Sequence, residues 1–314
     1  MSESVQSSLL LLYIIFNNII GLHAIPKGYV LGTTYELGQT TNKLYKIDPI
    51  TGKFTVFTFL NGYKPYDITY DLKKKIIYVF TDGPGIRQES SLSAILVNPL
   101  NGTKQYRPIF TERYAELFGL RVDSSTGKLY SLQLGGAGGS IASIVQIDPN
   151  NFLATRWVNI TEVSGVSPDP MFVFYNSTKH EYFVTAVSGI KDVLVGIDVK
   201  KQKIISRLTS SNIPSYLCYD NSTDAFYGMQ RFAMKRGCHL VRFNPYSGIT
   251  DVLSDDFDDY EPSAGSCYGG FYFTMIVLNV DTQKVLTFDL NKDGKLISNK
   301  LGKEYLNSLV FIPI

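Results

Sequence analysis

The sequence predicts an all-β fold: a six-bladed β-propeller with four antiparallel strands per blade, closed by its C-terminal strand. Three observations carry this expectation. A short phrase, Ile47-Asp48-Pro49-Ile50-Thr51-Gly52, returns as Val97-Asn98-Pro99-Leu100-Asn101-Gly102 and as Ile147-Asp148-Pro149. Weaker copies follow at Ile197-Asp198, Phe243-Asn244-Pro245-Tyr246-Ser247-Gly248 and Phe288-Asp289. A period of roughly fifty residues marks one supersecondary unit that can bury its apolar face only against its neighbours. Between phrases lie four strand-like runs separated by turn residues, and the two chain ends hold complementary parts of one unit.

In order, Tyr29 to Tyr35 reads as the second strand of the first unit and Lys43 to Ile47 as its third, with no first strand ahead of them. The second unit is complete. Tyr66–Tyr70, Lys75–Phe80, Ser93–Val97 and Lys104–Phe110 are its strands A to D, rich in β-branched and aromatic residues. Further A strands fall near 117–122, 170–175, 215–219 and 263–268, and B strands near 128–134, 181–187, 225–230 and 270–278. C strands run up to each Asp or Asn landmark and D strands leave it. Ser308 to Ile312 has the pattern of an A strand with no B after it, so it supplies the strand missing from the first unit. Closure removes the exposed edges of an open array. An open solenoid or two stacked sandwiches would not need complementary ends.

Composition narrows the function classes. Aromatic residues make up 13% of the chain, which suits strands, and the formal net charge is +2. That balance gives no electrostatic reason to expect nucleic acid as a partner. The apolar run from Leu9 to Ile20, followed by Ala24, is too short to span a bilayer and fits a secretory signal over residues 1–24, leaving a propeller of residues 25–314 and no membrane span. Four Asn-x-Ser/Thr sequons, at Asn101, Asn159, Asn176 and Asn221, agree with secretion and N-glycosylation. Of the three cysteines, Cys218 and Cys267 fall on adjacent A strands and Cys238 begins a C strand. Two ladder positions from A to C span about 9–10 Å, too far for a bridge. The expectation is therefore no disulfide and buried free thiols.

The Ile-Asp-Pro-x-Thr-Gly phrase resembles the outer hairpins of extracellular and periplasmic propellers. That likeness covers roughly residues 29–314 and implies fold, not activity. Repeated Trp-Asp dipeptides and sialidase-type boxes are missing, and Trp157 is the sole tryptophan. Acidic residues recur where A strands enter the channel: Asp67, Glu116, Asp169 and Glu261, with Asn307 in the closing strand. This set is similar to the gluconolactonase and paraoxonase type of six-bladed propeller. The resemblance implies Ca²⁺ at the channel mouth, an ion that takes six to eight oxygen ligands.

Other motifs reduce to structure. Asp289-Leu290-Asn291-Lys292-Asp293-Gly294 resembles half a calcium loop but sits where the repeat places a C–D turn, with Lys300 where the closing Glu is required. The run Ser254 to Glu261 is an acidic loop. His180 belongs to an A–B turn and His239 opens a C strand, and no catalytic residue is assigned, because no Ser or Cys stands in a nucleophile elbow. In a propeller, A–B and C–D turns share one face, and D–A and B–C loops share the other. The sequons at Asn101, Asn176 and Asn221 lie on the first face; the longer loops, 82–92, 135–142, 160–168, 231–237 and 254–262, lie on the second. The resulting expectation is a secreted binding module whose loop face meets a protein or glycan ligand. The alternatives are a calcium-dependent lactonase or hydrolase and a structural extracellular scaffold.

Overall fold

A computed structural model describes residues 28–34, 41–82, 92–111, 115–135, 142–160, 173–188, 191–210, 212–221, 223–232, 236–268, 272–278, 282–301 and 306–314. The leader of residues 1–24 lies outside them. Blade 1 contains β1 (Gly28–Thr34), β2 (Lys43–Ile47) and β3 (Phe54–Phe59). Blade 2 contains β4 (Lys64–Asp71), β5 (Ile76–Asp82), β6 (Leu92–Val97) and β7 (Lys104–Pro108). Blade 3 is β8 (Ala115–Asp123), β9 (Lys128–Gly135), β10 (Ser143–Ile147) and β11 (Ala154–Asn159). Blade 4 is β12 (Val173–Asn176), β13 (Glu181–Ser188), β14 (Lys191–Asp198) and β15 (Lys203–Ser210). Blade 5 is β16 (Ser215–Asp220), β17 (Ala225–Arg231), β18 (Gly237–Phe243), and an outer edge split into β19 (Thr250–Val252) and β20 (Phe257–Asp258). Blade 6 is β21 (Glu261–Tyr268), β22 (Tyr272–Leu278), β23 (Gln283–Asp289) and β24 (Lys295–Leu301). The last strand, β25 (Leu306–Pro313), pairs antiparallel with β1, matching Gly28 to Pro313 and Leu31 to Val310. The ring closes as the chain ends predicted.

The buried apolar side chains sort into six clusters, each lying between two neighbouring blades. Blade 3, for example, meets blade 4 through Tyr130, Leu132, Ile144, Val184 and Val195. No blade buries its face alone, which is why the unit must repeat.

The recurrent phrase has a physical basis in its turn. The Asp or Asn side chain accepts backbone amides two or three residues on, an Asx turn that caps the hairpin. Asp48 Oδ1 accepts the amides of Ile50 at 2.9 Å and Thr51 at 3.0 Å. The amide two residues on is bound in the same way at Asn98, Asp148, Asn244 and Asp289, and the amide three residues on at Asp198. Four residues after the landmark the backbone turns left-handed, at Gly52 (φ 66°), Gly102 (φ 71°) and Gly248 (φ 75°), but also at Phe152 (φ 58°) and Gln202 (φ 54°). Asp289 belongs to the same series, through a short 3-10 turn at Leu290–Lys292, so its segment is a hairpin turn.

Each of these turns also docks on the preceding blade. Tyr29 Oη donates to the Pro99 carbonyl at 2.5 Å, and Thr287 Oγ1 to the Pro49 carbonyl at 2.6 Å. Trp157 Nε1 donates to the Val199 carbonyl at 2.6 Å, and Phe110 exchanges backbone bonds with Phe152 and Ala154 at 2.9 and 2.7 Å. Tyr246 packs on Phe183 with 5.9 Å between ring centroids. In the sixth turn Gly294 lies against Leu253 of blade 5.

Candidate functional site

The inner strands of all six blades enclose a central cavity of about 250 Å³, with Asp67, Arg121, Tyr175, Tyr216, Ser266 and Ser308 each contributed by a different strand. Five of these inner strands carry a β-bulge. The register shifts fall between Pro65 and Asp67, Phe118 and Arg121, Ser215 and Cys218, and Pro262 and Ala264, and across β25 between Leu306 and Ser308. A bulge re-aims the side chain that follows it. Here the residues after the shifts are Asp67, Arg121, Cys218, Ala264 and Ser308, and every one lines the cavity. The geometry repeats around the axis while the chemistry differs from blade to blade.

Asp67 is 3% exposed and accepts the Ile68 amide at 2.8 Å and the Leu120 amide of the next blade. Arg121 Nη1 lies 3.5 Å from its carboxylate. Burial pushes Asp67 above the ordinary carboxylate value, and the guanidinium and amides offset that only in part. Arg121 is held in place by two carbonyls: Nη1 donates to Leu120 O and Nη2 to Val173 O, both at 2.6 Å. At Gly119 the backbone turns left-handed (φ 64°), and an added Cβ would meet Val173 at 2.4 Å. Tyr216 also has positive φ, 53°, a costly conformation for an aromatic residue and one found where structure is bent to a site.

Cys218 and Cys267 form a disulfide between the adjacent inner strands of blades 5 and 6, with Cα atoms 5.8 Å apart. This corrects the expectation of free thiols. Ladder spacing within one blade decides only Cys238, which is buried and free, its thiol raised by burial to about 12. Neighbouring blades converge at the axis, so two A-strand cysteines meet there.

Beneath the channel Asp123 joins blades 3 and 4. It accepts Ser125 Oγ at 2.7 Å and Thr126 Oγ1 at 2.8 Å, and lies 2.9 Å from His180 Nδ1. Burial acts to raise Asp123, but those hydroxyls and the imidazole outweigh it and hold the carboxyl below its usual value. His180 is 8% exposed, in the A–B turn where the sequence puts it, and acts as an interblade tie.

The other expected site residues are dispersed. Glu261 pairs with Arg231 at 3.3 Å on blade 5, and Glu116 is exposed on β8. Asp169 and the side chain of Asn307 lie outside the described residues. The described members do not fit a calcium site, since Asp67 is engaged by a cation and two amides and Glu261 by a second cation. No group of three His, Cys, Asp or Glu side chains placed to hold a metal ion is found among the described residues.

Of the sequons, Asn101, Asn159 and Asn221 are exposed. Asn176 is 1% exposed: its Oδ1 accepts the amides of Thr178 and Lys179, and its Nδ2, the atom a glycan would occupy, is buried. The folded chain leaves no room for a glycan there. The acidic run Ser254–Glu261 interrupts the outer edge of blade 5. Ser254 Oγ caps the Leu240 amide at 2.9 Å and Phe257 packs on Phe288. Sequence reasoning did not single out Arg121, Tyr175 or Tyr216. A signal for the first was present, since Gly119 two residues earlier marks a bulge in a strand.

No family model matches the chain, and no curated protein does. Solved structures are similar in fold. The crystal structure of the nidogen/laminin complex matches with TM-score 0.63 at 11% identity, covering 90% of this chain and 98% of that one. TolB from Acinetobacter baumannii matches with TM-score 0.69 at 11% identity, over 96% of this chain and 70% of that one. A candidate 6-phosphogluconolactonase from Bacteroides fragilis matches with TM-score 0.53 at 12% identity, over 92% of this chain and 99% of that one. These likenesses and the closed ring together establish a six-bladed β-propeller.

Proposed function

We propose that this chain is an exported, N-glycosylated β-propeller that recognises a protein or glycan ligand on the face of its D–A and B–C loops. The carrying observation is the contrast between faces. On one, the C–D hairpin turns are short, Asx-capped and docked on the preceding blade, so their carbonyls are spent on the fold. The longer connections, most of them outside the described residues, join the opposite ends of the same strands, and binding residues concentrate on such loops. The Cys218–Cys267 bridge supports passage through an oxidising compartment. Exposed Asn101, Asn159 and Asn221 support glycan attachment. No described helix is long and apolar enough to cross a membrane. The nidogen/laminin structure, a complex on a similar fold, supports a protein partner.

The test is to express the full chain in a secreting eukaryotic cell and map its glycans and contacts. Peptide mapping should find glycans on Asn101, Asn159 and Asn221 and none on Asn176. Cross-linking of the purified glycoprotein to extracellular matrix extract should place contacts on loop-face residues such as Lys284 and Arg231. Retention of unglycosylated chain inside the cell, or cross-links spread evenly over both faces, would refute the reading.

A further inference from the structure

We propose that the central channel is a binding pocket for a small hydroxylated carboxylate, with Arg121 as its anchor. This goes beyond the loop-face reading and uses different residues. The first observation is a donor without an acceptor. Arg121 spends Nη1 on Leu120 O and Nη2 on Val173 O, while its Nε–H has no hydrogen-bond acceptor among the described residues. Two carbonyls and Asp67 hold the guanidinium still, so it is oriented before any ligand arrives.

The second observation is the balance of free valences. Asp67 already accepts the Ile68 and Leu120 amides and faces Arg121, so the cavity's carboxylate is engaged. What remains for a ligand is a charged donor, with the oxygen lone pairs of Ser266 and Ser308, whose hydroxyls donate to Cys267 O at 3.5 Å and Tyr66 O at 3.3 Å, around the same cavity. A guanidinium edge takes a carboxylate, and serine oxygens that already donate elsewhere accept bonds from alcohol groups.

The third is construction. Bulges deliver Asp67, Arg121 and Ser308 to the axis, and Tyr216 is held at φ 53° in the cavity wall. Bulges and backbone outliers gather at ligand sites because folding alone gains nothing from them. At about 250 Å³ the cavity lies at the small end of ligand pockets and suits a molecule of monosaccharide size. Arg121, Tyr216, Cys218 and Cys267 are only half-buried, so solvent reaches the wall.

The probes are sodium glucuronate and, as its uncharged counterpart, glucose, at matched ionic strength. Glucuronate should raise the melting temperature of the full glycoprotein saturably, while glucose and added sodium chloride should not. Arg121→Lys keeps the charge but loses the planar fork, and should weaken glucuronate at least tenfold by calorimetry. Should that variant fail to fold, co-crystals of the unaltered protein decide the matter: the carboxylate must lie within hydrogen-bond distance of Arg121 Nε. Equal stabilisation by glucose, no stabilisation by either sugar, undiminished affinity in Arg121→Lys, or glucuronate seated away from the channel would each overturn the proposal.

Discussion

The hairpin turns at the rim and the inner strands at the axis are built by opposite rules. At the rim one local solution is used six times: an Asp or Asn caps the turn, and a left-handed residue follows at the same position in all six, Asp293 (φ 50°) in the last. At the axis a shared device, the bulge, delivers a different residue from each of five blades: Asp67, Arg121, Cys218, Ala264 and Ser308. Regularity serves closure of the ring, because every blade must meet its neighbour in the same way. Irregularity belongs to the cavity, where six different side chains face one another and no local rule dictates their identity.

The sharpest way to break this contrast is at the axis. Cys218→Ser with Cys267→Ser should cost about 4 kcal/mol in urea unfolding, since the bridge closes a long stretch of chain. Unchanged stability would mean that strand pairing alone holds blades 5 and 6. Next comes Arg121→Met, expected to cost about 3 kcal/mol at neutral pH by stranding a buried carboxylate. The sign with pH follows from Asp67, whose folded value is raised by burial. The folded state holds that proton more tightly, so its contribution to stability is greatest below the unfolded value and is lost as pH rises through the folded one. Without Arg121 the dependence should steepen, and the variant should recover much of its stability in acid. A pH-independent loss would remove Asp67 from the account.

Rim substitutions should cost less and repeat from blade to blade. Gly52→Ala forces a Cβ into the left-handed region and to within 2.3 Å of Lys300 Cβ, and should lose about 1–2 kcal/mol. Gln202→Gly, at the equivalent position with φ 54°, should gain up to about 1 kcal/mol by thermal melting. Asp148→Ala removes one cap and should cost about 1 kcal/mol, with Asn98→Ala matching it within error. Strongly unequal losses at these two caps would show that docking on the preceding blade, and not the cap, sets the cost.

The rim was legible because its signals are local. A capping side chain, a turn proline and a glycine four residues on can be read from five consecutive residues, and three full copies with three weaker ones reveal the ring. Closure was legible too, since Tyr29–Tyr35 and Ser308–Ile312 read as complementary strands before any coordinates. The burial of Asn176 was not: its sequon is sound, yet its side chain serves the A–B turn as Asp123 does in the preceding blade. Nor were the partners of the acids along the A strands, because their recurrence says nothing of which way a bulge turns each one. Asp67 was found by that reading, and its partners among the described residues are Arg121 and the Ile68 and Leu120 amides.

By itself, then, the chain's order of residues determined the number of blades, their strands and the way the ring fastens, all of which rest on contacts between residues near in sequence or on pairing that alternation enforces. Only the tertiary structure decided that Cys218 meets Cys267, that Arg121 meets Asp67, and that the residue after each inner-strand bulge reaches the axis. Those meetings join residues from different blades, across distances set by the radius of the ring, and the radius is a property of how the blades pack.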